Sequence, residues 1–318
     1  MKKKRFAPLL LMLLFICHFS QGLAQYDALL SQYKSALSYY NPAMVGTREE
    51  IVLTAMYHRQ WIGIKGAPIN IAILGDAPVT AFGKNFGVGV SVLSQKKGLY
   101  TNTEAQGQVS FGVKLFKGTL HIGIQAGLYN SIFDGTKVEI PDGEGSSPND
   151  PAIPLTRLTG KTFDLSTGVY WKHPKGFIGI GAKHLTHPTI LLEQRYHLTL
   201  PFTINFVSGY NIMSTSSLLV WRPSIFAVTD FRSHRIDMNI DAVYASKFEA
   251  GLMFRPISAA GFRLGLNLGK THLGYSFEMP INQLQRGNWG SHELVVSYAL
   301  PMPKQKKREA SYKSIRLL

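Results

Sequence analysis

The chain of 318 residues contains one cysteine, Cys17. A lone cysteine cannot pair within its own chain, so no disulfide framework supports this fold. Charge is also scarce: Asp, Glu, Lys and Arg make up 17% of the residues, against about 25% in ordinary soluble domains. Beyond residue 24 there is no run of 18 consecutive apolar residues, so no segment is a candidate transmembrane helix. Long amphipathic helical patterns are missing too. What is present in excess is aromatic side chains, 18 Phe, 14 Tyr and 4 Trp, and 30 glycines. With near-neutral mean hydropathy, such a chain is not disordered. Its formal charge of +15 invites a nucleic-acid reading, and where the charge sits decides whether that reading survives.

Much of the charge sits at the two ends. Lys2, Lys3, Lys4 and Arg5 precede an apolar stretch from Phe6 to Cys17, and Gly22-Leu23-Ala24 follows with small residues at its first and last positions. This is the pattern of a secretory signal peptide, residues 1–24, with cleavage expected after Ala24. The apolar stretch is too short for a spanning helix, which needs about 20 residues. A lipoprotein signal at Cys17 is the rival, and Ile16 before it is larger than that processing tolerates. At the other end, residues 301–318 form a basic tail in which Lys304, Lys306, Lys307, Arg308, Lys313 and Arg316 stand against Glu309. The tail is either a solvated terminus or a periplasmic contact for an acidic partner. An exported chain rarely meets a genome, so no nucleic-acid partner is expected.

Between the ends the chain repeats short stretches of alternating polarity, separated by Gly, Pro, Asn, Ser and Lys. Phe262, Leu264, Leu266 and Leu268 share one face against Arg263, Gly265, Asn267 and Gly269. Leu273, Tyr275, Phe277 and Met279 oppose His272, Gly274, Ser276 and Glu278. Ile236, Met238, Ile240, Ala242 and Tyr244 oppose Asp237, Asn239 and Asp241. Period-2 alternation of this kind marks half-buried strands. Fourteen such runs are expected, at 51–59, 67–77, 86–94, 103–116, 118–131, 162–172, 176–186, 197–211, 216–228, 233–244, 247–256, 262–269, 271–279 and 291–300.

A soluble sandwich would alternate as well, but its strands are usually about 5–6 residues long. Many runs here reach the roughly 9–11 residues that a tilted strand needs to cross a bilayer. The even count and the alternation of longer and shorter connections fit a barrel with its N-terminus in the periplasm. Connections 78–85, long where it should be short, and 229–232, short where it should be long, depart from that rhythm. The expected fold class is therefore all-β: a transmembrane antiparallel outer-membrane β-barrel over residues 51–300, preceded by an N-terminal periplasmic or plug segment at 25–50. Lipid offers no partner to an open sheet edge, so the sheet must close. Asp237, Asp241, Glu249, Arg255, Arg263, His272 and Glu278 then belong inside, since charge toward lipid is costly. Tyr57, Trp61, Tyr170, Trp171 and Trp221 are candidates for interfacial girdles. The longest connection, 132–161, holds Asp142 and Glu144 in a Pro- and Gly-rich stretch, and loops of that length are usually functional or disordered.

Enzymatic motifs are missing. There is no Gly-x-Ser-x-Gly elbow, no His-Glu-x-x-His and no P-loop. His184-x-x-His187 alone is a poor metal site. Gly87-Val88-Gly89 and Gly179-Ile180-Gly181 lack a following helix and read as close strand packing. No cofactor and no metal is expected.

Three elements near the N-terminus occur in order: Ser31-Gln32-Tyr33; Asn41-Pro42-Ala43-Met44-Val45-Gly46; and Arg59-Gln60-Trp61 followed by Gly63, Gly66 and Pro68. Read physically, Asn41-Pro42 is a turn or extended signal, Gly46 and Gly63 suit backbone that a side chain would block, and Trp61 falls where an interfacial anchor belongs. Together the three elements resemble the PorP/SprF family of outer-membrane proteins of the type IX secretion system of Bacteroidota. The resemblance covers residues 26–68 in motif and the remainder in strand rhythm. It implies a non-enzymatic barrel, linked to secretion of surface proteins and gliding adhesins. The implied partners are outer-membrane lipid, the large type IX translocon barrel, the C-terminal secretion domain of a cargo and periplasmic peptidoglycan-associated proteins. The residues expected to carry partner contacts are Asn41, Pro42, Arg59, Gln60, Trp61, Asp142, Glu144, Lys306, Lys307 and Arg308. The alternatives are an outer-membrane channel for small solutes and, further off, a membrane-embedded hydrolase.

Overall fold

A computed structural model describes residues 27, 28, 30–139, 154–193, 196–213 and 218–302. The strands in chain order are β1 (Glu50–Arg59), β2 (Ile69–Ala81), β3 (Lys84–Lys97), β4 (Tyr100–Leu115), β5 (Gly118–Asp134), β6 (Arg157–His173), β7 (Gly176–Lys183), β8 (Thr189–Leu192), β9 (Tyr196–Thr199), β10 (Thr203–Tyr210), β11 (Ile212–Met213), β12 (Leu219–Thr229), β13 (His234–Tyr244), β14 (Phe248–Arg255), β15 (Ala259–Leu268), β16 (Thr271–Pro280) and β17 (Ser291–Pro301). Each wall strand pairs antiparallel with the next, β1 pairs with β17, and β10 pairs directly with β12. The wall is a closed barrel of 14 strands. β11 continues β10 past Asn211, and β8–β9 is a separate hairpin.

Alternation decides which face of each strand meets what. In β1, Val52, Thr54, Met56 and His58 are buried, while Leu53, Ala55, Tyr57 and Arg59 are exposed. The large apolar side chains face outward: Ile73, Val90, Ile124 and Leu252 are each at least 60% exposed. Polar and charged side chains, including Asp237, Asp241, Arg255, Arg263 and Glu278, are buried inside. Such inverted polarity is stable only when lipid covers the outside. Among the described residues no helix is long and apolar enough to cross a membrane.

One end of the barrel has tight turns, such as Phe82-Gly83 and Phe116-Lys117, whose residues have φ between +47° and +70°. A type I′ two-residue hairpin has positive φ at both central positions, which matches the strand twist. The other end carries the longer connections 60–68, 135–156, 184–202 and 281–290. In outer-membrane barrels the long connections are extracellular.

Several expected boundaries are corrected. The connection drawn at 78–85 shrinks to the Phe82-Gly83 turn, because β2 continues through Pro78 to Ala81. The connection drawn at 95–102 is also a two-residue turn, at 98–99. The run 197–211 divides at Leu200-Pro201-Phe202: its first part belongs to the β8–β9 hairpin and its second to the wall. Tyr170 is not a girdle residue. It has even parity with the lumen-facing side of β6, is buried, and packs on Phe177.

Candidate functional site

The lumen is filled by the chain's own N-terminal segment. Residues 27–47 contain a 3-10 turn (Tyr33–Ala36), one helical turn (Leu37–Tyr40) and a second 3-10 turn (Pro42–Met44). The second turn starts where expected for Asn-Pro: Asn41 caps it by accepting from Ala43 N–H (2.9 Å), and Pro42 takes the first position, where no N–H is needed. The segment enters beside the end of β7 on the long-connection side, where Asp27 meets Lys183 and His184. It leaves on the short-turn side, where the Ser110 hydroxyl donates to the Val45 carbonyl (2.7 Å) just before β1 begins.

Its aromatic residues form the core of the lumen. Tyr33 stacks on Phe226 of β12 at 4.9 Å, Tyr40 lies 4.8 Å from the same ring, and Tyr39 meets Tyr40 edge-on. Such pairs contribute about 0.5–1.5 kcal/mol each beyond area burial. The segment's backbone is satisfied by the wall. Gln108 donates to the Ser38 carbonyl (2.8 Å), Asn205 to the Tyr40 carbonyl (2.8 Å) and Asn41 to the Val169 carbonyl (3.1 Å). From the other side of the wall, Glu293 accepts from Ser31 and Gln32 N–H at 2.8 and 2.6 Å.

Glycines clear the space. A Cβ on Gly123 would meet the backbone of Pro42 and Ala43, one on Gly87 the Val45 carbonyl, and one on Gly181 the Tyr40 carbonyl at 2.6 Å. Gly87 and Gly181 thus admit the segment's backbone, and Gly89 and Gly179 lie against the Val45 and Asn41 side chains, beyond the strand packing that alternation alone implies.

Two charged clusters clamp the segment. Near the long-connection end, Lys183 Nζ lies 3.4 Å from Asp27 and 3.3 Å from Glu104, over the Tyr39 ring at 3.9 Å. His184 places Nε2 3.0 Å from Asp27, and Nδ1 3.0 Å from Asp164 without hydrogen-bond geometry. Burial alone would lower the His184 pKa, but the flanking Asp27 and Asp164 carboxylates raise it to about 10. Burial would raise the Asp27 pKa, yet Lys183 and His184 hold it well below its ordinary value. Burial pushes the Tyr39 and Tyr40 hydroxyls up, so both stay neutral donors. In the second cluster, Arg255 bridges Asp237 and Glu278, Arg235 pairs with Asp237 at 2.7 Å, and Ser31 donates to Glu278 at 2.8 Å. Lys34 and Arg263 share Asp241.

Above the first cluster the β8–β9 hairpin packs on the lumen side of β5 and β6. Ile190, Leu192 and Leu200 pack on Tyr129 and Leu158, all buried. Toward the short-turn end a vestibule of about 400 Å³ remains, lined among others by Lys34, Arg48, Tyr210, Arg222, Glu249 and His272. Among the described residues no group of three or more His, Cys, Asp or Glu side chains is placed to hold a metal. His187 does not join His184; it packs on Phe202 at 5.8 Å.

A family model described as "Type IX secretion system membrane protein PorP/SprF" matches residues 22–298. The chain belongs to this family. No curated protein matches it. Among solved structures, a Pseudomonas aeruginosa FadL homologue is similar with a TM-score of 0.50 at 10% identity, over 84% of this chain and 94% of that one. The Pseudomonas putida toluene transporter TodX gives 0.49 at 9% identity, over 87% and 95%. At this identity the likeness to the FadL homologue speaks to the fold alone. The protein is thus an outer-membrane barrel of the PorP/SprF family.

In this PorP/SprF barrel the motif residues separate into two places. Asn41 and Pro42 are buried in the lumen segment. Arg59 is exposed at the end of β1, and Gln60 and Trp61 begin the 60–68 connection. Trp61 has φ +44° and donates its backbone N–H to Ser291 Oγ (3.2 Å), while Ile62 donates its N–H to the Gly290 carbonyl (2.9 Å) and accepts from Trp289 N–H (2.7 Å) in the 281–290 connection. Gly46 and Gly63 have φ +66° and +105°, the left-handed geometry that favours glycine. Asp142, Glu144, Lys306, Lys307 and Arg308, like the signal peptide, lie outside the described residues. Sequence reasoning missed Asp27, Lys183 and His184 as a unit. The available signal was two adjacent cations, Lys183 and His184, at the end of an otherwise apolar strand.

Proposed function

We propose that this barrel is a non-enzymatic component of the type IX secretion system that binds the C-terminal secretion domain of exported proteins and helps deliver them to the cell surface, gliding adhesins among them. Family membership supplies the system. The observation that carries the non-channel part of the reading is the filled lumen: residues 27–47 contact strands around the wall, and the β8–β9 hairpin packs on the lumen side of β5 and β6. A barrel occupied in this way acts through its surfaces. The contact surfaces in this reading are Arg59, Gln60 and Trp61 with the 281–290 connection, Asp142 and Glu144 in the long connection, and the basic tail with Lys306, Lys307 and Arg308. Asn41 and Pro42 act from within, by seating the segment. The partners are the translocon barrel, the cargo domain and periplasmic peptidoglycan-associated proteins.

The test is a deletion strain combined with affinity purification from detergent-solubilised outer membranes. Loss of specific surface proteins from the deletion strain, and co-purification of translocon and cargo, are expected. An unchanged set of secreted proteins, together with steady solute conductance of the purified barrel, overturns the proposal in favour of a solute channel.

A further inference from the structure

The barrel wall has a step. β6 has 17 residues and its neighbour β7 has 8. β7 pairs with β6 only over Thr167–His173. One further bond, from Leu185 N–H to the Leu165 carbonyl (3.0 Å), ends the contact. Residues 157–163 of β6 therefore have β5 on one side and, among the described residues, no paired strand on the other.

Parity identifies the open groups. The Leu165 carbonyl faces the β7 side, whereas Gly135 N–H donates to the Thr156 carbonyl (3.0 Å) on the β5 side. The register between β5 and β6 runs without a bulge from Thr119↔Lys172 to Asp134↔Arg157. In such a strand, successive residues direct their N–H and C=O to opposite edges. Arg157, Thr159, Lys161 and Phe163 thus present their backbone groups to the open edge, and their side chains are exposed on the outer face. The β8–β9 hairpin lies on the other face, with Ile190 against the lumen side of Gly160.

An open edge is a template for another strand. Arg157 and Lys161 stand four residues apart on one face, and the neighbouring carboxylate, Asp134, is already taken by Lys137 and Thr136. An incoming strand with acidic side chains at the same spacing would satisfy both the ladder and the charge. We propose that the edge of β6 at residues 157–163 accepts an extended, acidic segment of an exported polypeptide as an added strand. This rests on the reading that the barrel receives exported proteins. Residues 140–153 are also acidic and lead into β6, but Pro141, Pro148 and Pro151 lack the N–H groups a ladder requires.

The test uses the full mature barrel in nanodiscs and a fluorescent nine-residue peptide of β-branched residues with glutamates four positions apart. Binding is read by anisotropy. N-methylation along one edge of the peptide should abolish binding, while methylation along the other edge should leave it intact. Replacing both glutamates with lysine should weaken it. Thr159→Pro removes an N–H that β5 does not use, so the barrel should fold, as judged by its migration on unboiled gels. The loss expected for one or two missing interstrand bonds is about tenfold. Equal sensitivity of the two methylated peptides, or equal binding by wild type and Thr159→Pro, overturns the proposal. Binding that appears only after excision of 140–153 assigns the edge to the chain's own loop and overturns it as well. Peptide binding at β6 alongside normal surface-protein display in a deletion strain would sink the functional reading but keep the edge. The converse would sink the edge alone.

Discussion

Gly123 on β5 offers a clean way to separate the wall from the segment it encloses. A Cβ there would sit 2.6 Å from the Pro42 carbonyl oxygen and collide with the Pro42–Ala43 peptide. Ordinary contact begins near 3.4 Å, so the segment must retreat by close to 1 Å. The retreat would stretch the bonds from Asn41 to Val169 and from Asn205 to the Tyr40 carbonyl. Overpacking of this kind costs about 1–3 kcal/mol. The three atoms nearest that Cβ all belong to the segment, so Gly123→Ala should move the equilibrium between seated and unseated segment by about 5- to 150-fold. Ala36→Cys is a suitable reporter because Ala36 is fully buried against the lumen. Its maleimide labelling rate should follow the unseated population. Gly107→Ala is the control: its Cβ faces outward and finds nothing closer than the Ala126 carbonyl at 4.0 Å. Equal labelling in the two variants, with both barrels folded, would refute the close fit between the segment and the glycine-lined wall.

Two further outcomes follow from the cluster at the end of β7. Lys183→Met leaves Asp27 and Glu104 buried without their shared cation, a loss of about 3–5 kcal/mol. It should lower the temperature at which the barrel unfolds on gels, and an unchanged transition would contradict the clamp. The same cluster sets a pH window. The Asp27 pKa is depressed from 3.8, so its contribution is present above that value and is lost as the pH falls through the lower folded value. The His184 pKa is raised from 6.5 to about 10, so its contribution is complete below 6.5 and is lost as the pH rises through about 10. Protection of the Ala36→Cys barrel from an alkylating probe of pH-independent reactivity should therefore fall in strong acid and again near pH 10. A flat profile across that range would exclude the cluster as a clamp.

The wall was legible because lipid on one side and a polar interior on the other impose strict alternation. β13 shows this plainly: Asp237, Asn239 and Asp241 are buried and Met238 and Ile240 are exposed, as the pattern requires. Strand ends were less legible, since Pro78 within β2 mimics a turn. The hairpin at 189–199 reads in sequence as part connection and part strand because β8 has only four residues. Inside the lumen, the identity of the polar face could be read but not its pairings. Lys34 reaches Asp241 and Ser31 reaches Glu293 across more than 200 residues of sequence, and no local pattern encodes such distances. The glycines at 87, 123 and 181 look like strand glycines until the segment they admit is in place.

Whether the lumen is closed can be measured directly. Conductance of the purified barrel in planar bilayers measures this, with the intact protein compared against one lacking residues 27–47. The intact protein should remain closed, and removal of the segment should produce stable openings. Steady conductance by the intact barrel, unchanged when the segment is removed, would contradict the account.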